Sequence, residues 1–113
     1  MRPDTLTRMY RDFNARQIDA VLDLLHPDVD WQNGWEGGRL HGREEVRNYW
    51  TRQWTAIDPT VDPVGFDEDG EGRTIVHVHQ VVRSLKGEIL GDEHLDPVYE
   101  MRDGLIRTME IRK

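Results

Sequence analysis

The stretch Thr74-Ile-Val-His-Val-His-Gln-Val-Val-Arg-Ser-Leu85 is rich in β-branched residues and alternates along its length. This pattern predicts a β-strand. Side chains two residues apart in a strand point to the same face, so the strand has two different faces. One face carries Ile75, His77, His79 and Val81, and the other carries Val76, Val78, Gln80 and Val82. The three valines favour burial of the second face, but burial of the histidine face stays open.

The residues after this strand predict an antiparallel meander. Lys86-Gly87 predicts a hairpin turn, and Glu88–Met101 a long, interrupted strand. Asp103-Gly104 is the strongest hairpin signal in the chain, and Leu105–Ile111 then closes the sheet. Upstream of the meander, short strands are predicted at residues 29–31 and 61–66, a glycine-rich loop at 33–42 and a turn at 67–72.

The N-terminal half predicts three helices, each with one apolar stripe. Apolar residues recur at helical spacing over residues 6–13, 18–25 and 46–57, and Pro27 is expected to end the second helix. Helices placed on one face of an antiparallel sheet form an α+β domain. We therefore predict one α+β domain over residues 1–113.

Composition restricts the classes of function and partner. The net charge is −7, which argues against nucleic acid or an anionic membrane as the main partner because both are usually bound through a basic surface. The chain has no cysteine, so disulfides and thiolate nucleophiles are excluded. No apolar run approaches the length that spans a bilayer, and a cytoplasmic location is the simplest expectation.

Four short motifs, in this order of elements, resemble the nuclear transport factor 2-like superfamily, and within it the SnoaL-like domains. They are Phe13-Asn14-Ala15, Leu25–Val29, His41-Gly42-Arg43 and Arg102–Ile106. The resemblance covers nearly the whole chain and implies a cone, in which a curved antiparallel sheet wraps around the three helices and encloses a pocket. Many relatives dimerise through the outer sheet face, so a homodimer is expected. Relatives include enzymes and non-catalytic binding modules, so the fold alone assigns no activity.

The resemblance argues against one activity of the superfamily. At the positions where its steroid isomerases carry a basic Asp, two phenols and a protonated Asp, this chain has Asn33, Met9, Trp50 and Pro97. Asn cannot accept a proton at neutral pH, so steroid isomerisation is not expected. The epoxide hydrolase pattern is closer, because Trp31-Gln32-Asn33 keeps an amide that helps to hold water and Glu110 lies near the position of the activating carboxylate.

The resemblance also implies candidate site residues. It places the histidine face of residues 74–85 inside the cone, which makes His79 a candidate acid or base and His77 or Glu110 a second proton-handling group. Asn33 would orient the substrate, or would serve only as a turn residue before Gly34. The residues themselves, apart from the resemblance, add candidate substrate contacts. Trp31, Trp50, Tyr10 and Tyr99 are candidates with plain core packing as the alternative, and Trp35 in the glycine-rich loop is a candidate contact and lid. His94 is a further candidate contact, whereas Trp54 is expected to be core. His77, His79, His94 and Asp96 offer only a weak metal-ligand pattern, so no metal and no cofactor are expected.

Two functions follow from these residues. The first is a small-molecule pocket with cofactor-free acid–base chemistry, such as isomerisation, hydration or epoxide opening, on a compact hydrophobic substrate. The second is a non-catalytic binding or assembly module that pairs through a valine-rich outer face.

Overall fold

The computed structural model describes residues 4–112, which form three helices and a six-stranded sheet. The helices are α1 (Asp4–Asn14), α2 (Ile18–Asp23) and α3 (Arg43–Ala56). The strands are β1 (Leu25–Gln32), β2 (Arg39–His41), β3 (Asp58–Glu68), β4 (Thr74–Arg83), β5 (Ile89–Arg102) and β6 (Leu105–Arg112).

The sheet is curved and unclosed, with the strand order β2-β1-β6-β5-β4-β3. All neighbours are antiparallel except β1 and β6, which run parallel. The chain from β2 to β5 lies between them and is long enough for the crossover that a parallel pair needs. The helices pack against one face of the sheet. Residues of their apolar stripes, such as Met9 and Val46, form one core with inner side chains of the sheet such as Ile106. The predicted α+β class, a curved sheet around three helices, is confirmed.

The start of the sheet differs from the sequence prediction. Helix α2 ends at Asp23 and β1 already begins at Leu25, so Pro27 lies inside a strand and does not follow a helix. Proline cannot donate to a strand ladder. The ladder between β1 and β6 shifts register between Leu25 and Asp30, and Pro27 falls within that irregular segment.

The sequence prediction also lacks one short strand and makes another strand too short. Residues 39–41, predicted as loop, form β2, where Leu40 pairs with Trp31. Three residues are too few to show a strand period, and Arg39 is held there by contacts with Asp30 and with the carbonyl oxygen of Met109, at 3.1 Å. Strand β3 begins at Asp58, earlier than the predicted residue 61.

The hairpin between β5 and β6 is confirmed at Asp103-Gly104. Both residues have positive φ, 56° and 78° respectively, as a two-residue type I′ turn requires. Arg102 pairs with Leu105 and Met101 with Ile106 across this turn. The local sequence thus sets the register next to the turn, up to the irregularity between Glu100 and Met101.

Asn14 joins the end of α1 to the edge strand β3. Its side-chain oxygen accepts a hydrogen bond from the Val61 amide at 2.9 Å, and its side-chain nitrogen donates to the Val61 carbonyl at 2.8 Å. The amide side chain thus supplies the donor and the acceptor that a neighbouring strand would supply. This contact fixes the helix against the far edge of the sheet.

Replacement of Asn14 by Ala is expected to lower the free energy of unfolding by about 2 kcal/mol, because two part-buried hydrogen bonds are lost at about 1 kcal/mol each. Urea unfolding of both variants measures this. Asn48→Ala is the matched control, since Asn48 is exposed on α3 and has no side-chain partner among residues 4–112. Equal stability of the two variants would contradict the role assigned to Asn14.

Candidate functional site

A cavity of about 640 Å³ lies between the helices and the inner face of the sheet. Its wall is largely aromatic and apolar. The aromatic residues that line it are Tyr10, Phe13, Trp31, Trp35, Tyr49, Trp50 and Tyr99. The open side, here called the mouth, is marked by Trp35, Leu90 and Glu93, which line the cavity and are exposed.

Strand β4 turns its valine face toward the cavity. Val78, Gln80 and Val82 line it, and Val76 and Val78 are fully buried. The placement of His77 and His79 inside the cone is therefore wrong. Val76 and Val78 can be buried among apolar helix residues at no polar cost, whereas a buried imidazole would need partners there.

The histidines lie on the outer face of the sheet, each beside a carboxylate. His77 contacts Asp96 at 2.8 Å through Nδ1 and Asp67 at 2.6 Å through Nε2, and His79 Nε2 contacts Asp92 at 2.6 Å. The ring of His94 stacks on His79 with centroids 4.8 Å apart, so the predicted contact of His94 with a substrate is also misplaced.

Glu110 lies outside the cavity for the same geometric reason. Its neighbours Met109 and Ile111 line the cavity, so the alternating side chain between them points to the outer face. Glu110 is exposed. The assembly hypothesis also loses its premise, because the outer face of β4 carries His77 and His79 and the valine-rich face is inside. A homodimer stays a prediction.

The pKa of His77 is raised above its usual value of 6.5, first by the hydrogen bond with Asp67 and then by that with Asp96. A folded-state pKa above the unfolded one stabilises the fold fully below the unfolded pKa, and this stabilisation is lost as the pH rises through the folded pKa.

His77→Gln is therefore expected to lower the free energy of unfolding more at about pH 5.5 than at about pH 9. Urea unfolding at both pH values measures the difference. The control is the same substitution in an Asp67→Asn, Asp96→Asn background, where the pH dependence should disappear. An equal effect of His77→Gln at both pH values would rule out the charged contact.

Asn33 lines the cavity and is buried, but its polar atoms serve the adjoining turn. Its side-chain oxygen accepts hydrogen bonds from the amides of Trp35 and Glu36, at 3.1 and 2.7 Å, and its side-chain nitrogen donates to the Glu36 carboxylate at 3.0 Å. This is the turn role that the sequence left open. Asn33 thus shapes the loop at the mouth.

The same loop is anchored on α3. Arg52 donates to the Glu36 carboxylate at 2.8 Å, and the ring of Trp35 lies 6.4 Å from that of Tyr49. Burial, followed by the charge of Glu36, raises the pKa of Tyr49 to about 12. Trp35 is still 40% exposed, so part of its surface remains accessible at the mouth.

The predicted aromatic contacts Tyr10, Trp31, Trp50 and Tyr99 all lie on the cavity wall. Trp31 packs edge-to-face on Trp50, with ring centroids 5.4 Å apart, and lies 6.0 Å from the ring of Tyr99. The hydroxyls of Tyr10 and Tyr99 are 2.5 Å apart. Burial raises the pKa of both phenols, so both stay neutral at physiological pH. Trp54 packs with Phe13 and Trp50 at the edge of the core.

Sequence reasoning missed the polar residues Gln80 and Glu93, which line the cavity and pair directly across β4 and β5. Gln80 lies on the same face of β4 as the valines, so a prediction that this face points inward also places Gln80 in the cavity. Glu93 follows only once the register between β4 and β5 is known. It is the one carboxylate among the described residues that line the cavity.

Among residues 4–112, no group of three or more His, Asp or Glu side chains is arranged to hold a metal ion. Within the same residues, no helix is long and apolar enough to cross a membrane.

The sequence matches the SnoaL-like domain family over residues 6–109. The chain belongs to this family. A search of curated proteins found no match. Solved structures share the fold over nearly the whole chain, as expected from the resemblance to the nuclear transport factor 2-like superfamily.

Three of these structures illustrate the likeness. TerC, co-crystallised with polyporic acid, is 26% identical with a TM-score of 0.84, over 96% of this chain and 88% of TerC. An NTF2-like protein of unknown function from Burkholderia pseudomallei is 28% identical with a TM-score of 0.83, over 96% of this chain and 87% of the other. A protein from Sinorhizobium meliloti, provisionally assigned as a polyketide cyclase, is 21% identical with a TM-score of 0.83, over 98% and 95%.

Proposed function

We propose that this SnoaL-like protein binds a compact, mainly hydrophobic small molecule in its cavity. The observation that carries the proposal is the cavity of about 640 Å³ with a largely aromatic wall. Sites for small molecules commonly have volumes of roughly 300–1,000 Å³ and apolar walls with few polar groups. The co-crystallisation of TerC with polyporic acid supports small-molecule binding by this fold.

The proposal predicts that filling the cavity abolishes binding. Gln80→Trp places an indole on the cavity side of β4, and we expect it to lower the affinity for an aryl ketone such as 2-acetylnaphthalene by at least about tenfold, because the ligand and the indole compete for one volume. Titration followed by tryptophan fluorescence or calorimetry measures this.

Val81→Trp is the matched control, because Val81 neighbours Gln80 but lies on the outer face of β4. This variant should bind like the wild type. Equal loss of affinity in both variants, or no binding of the aryl ketone by the wild type, would refute cavity binding.

We further propose that the cavity supports cofactor-free acid–base chemistry, with Glu93 as the proton acceptor. Of the described groups that line the cavity, Glu93 alone is a carboxylate, and carboxylates serve as general bases at neutral pH. Its position at the mouth, opposite Gln80, lets it reach a bound molecule while it remains hydrated. Isomerisation, hydration and epoxide opening are the reaction classes that such a base can serve.

Glu93→Gln is expected to reduce turnover about 100-fold or more on whichever aryl epoxide or cyclic enone the wild type converts, with binding retained. Product formation by liquid chromatography measures turnover. Asp92→Asn is the matched control, since Asp92 adjoins Glu93 but contacts His79 on the outer face. Unchanged turnover in Glu93→Gln would remove the base from this position.

A further inference from the structure

Two buried phenols meet at the wall of the cavity. Tyr10 from α1 and Tyr99 from β5 are 4% and 1% exposed, and both line the cavity. Their rings are nearly perpendicular, at 88°, and their hydroxyl oxygens are 2.5 Å apart. The contact joins residues 89 positions apart in sequence, so the fold itself brings the two hydroxyls together.

Only one of the two hydroxyl protons finds a hydrogen-bond acceptor within the pair. Each phenol carries a single O–H donor, and one proton lies between the two oxygens. The second proton has no acceptor, because neither hydroxyl has another hydrogen-bond partner among residues 4–112. A buried donor without a partner costs about 1–3 kcal/mol. The cavity that both residues line is the space where an acceptor can be supplied.

The hydrogen bond within the pair strengthens the remaining donor. A hydroxyl that accepts a hydrogen bond becomes polarised and donates more strongly, and this effect is larger in a low-dielectric interior. Burial keeps both phenols protonated by raising the pKa of each. The pair therefore offers one neutral, polarised O–H and does not act as a base.

Apolar residues lie beside the pair on the cavity wall. Trp31 lies against Tyr99 with ring centroids 6.0 Å apart, and Met9, Leu95 and Met109 line the same cavity. A ligand group that reaches this donor must meet two conditions. It must accept a hydrogen bond, and it must carry no charge because it lies against apolar side chains. A carbonyl oxygen on an aromatic or cyclic frame satisfies both conditions, because it accepts one hydrogen bond and carries no charge.

We propose that the Tyr10–Tyr99 pair donates a hydrogen bond to a carbonyl oxygen of the ligand, so that the cavity selects apolar carbonyl compounds over hydrocarbons of the same shape. This inference rests on the proposed binding function. It deepens that function by naming a chemical class of ligand and the two residues that recognise it.

The test compares 2-acetylnaphthalene with 2-ethylnaphthalene, which has nearly the same shape but lacks the oxygen. We expect the wild-type protein to bind the ketone about tenfold more tightly than the hydrocarbon. Infrared difference spectra should show the carbonyl stretch of the bound ketone shifted to lower frequency than in an apolar solvent.

Tyr10→Phe, Tyr99→Phe and the double variant keep both rings and remove only hydroxyls. Each single variant retains one hydroxyl that can still donate, so part of the ketone preference should remain. The double variant should bind both probes with equal affinity and lose the infrared shift. Retained binding of 2-ethylnaphthalene shows that the variants are folded.

The outcomes separate the two proposals. If both probes bind the wild type equally and Gln80→Trp abolishes their binding, the cavity binds ligands but the donor role of the pair is overturned. An unchanged ketone preference in the double variant overturns it equally. If neither probe binds, or if Gln80→Trp has no effect, the binding function fails and the inference fails with it.

Discussion

The inward packing of Val76 and Val78 is the constraint on which the cavity depends. Both valines are fully buried against the helices, and the two-residue period of a strand then dictates the direction of every other side chain on β4. Gln80 and Val82 continue the same face along the cavity wall. A shift of one residue would instead bury two imidazoles against apolar helix side chains, where they have no partners.

On the outer face, His77 and His79 find the partners that the core lacks. Carboxylates on β3 and β5 flank them at hydrogen-bond distance. One choice of face thus satisfies the valines by burial and the histidines by hydrogen bonding. The outer surface of the sheet becomes polar and the inner wall apolar, which leaves the cavity suited to uncharged groups.

How far the sequence predicts this structure depends on the range of each signal. Local signals were sufficient for the Asp103-Gly104 hairpin and for the stripes of α1 and α3. The sequence leaves open which face of β4 is buried, because Ile75 and Val81 make the histidine face partly apolar too. The family resemblance favoured burial of the histidine face, which is wrong. Non-local pairing explains the remaining differences: β2 is too short to carry a pattern, and the role of Glu93 depends on a register that no short motif encodes.

The distribution of polar groups around the cavity constrains its ligand further. The chain has a net charge of −7, but most of its carboxylates lie outside the cavity. Among residues 4–112, Glu93 at the mouth is the one carboxylate that lines it. The other polar side chains that line the cavity, such as Gln80 and the hydroxyls of Tyr10 and Tyr99, carry no charge. An anion entering this space would lose its hydration and gain no cation, which is a large penalty in an apolar interior. A neutral molecule loses little hydration and restores the dispersion contacts that the cavity wall lacks. The geometry therefore favours a ligand that is uncharged at its buried end and can tolerate the carboxylate only where it meets solvent.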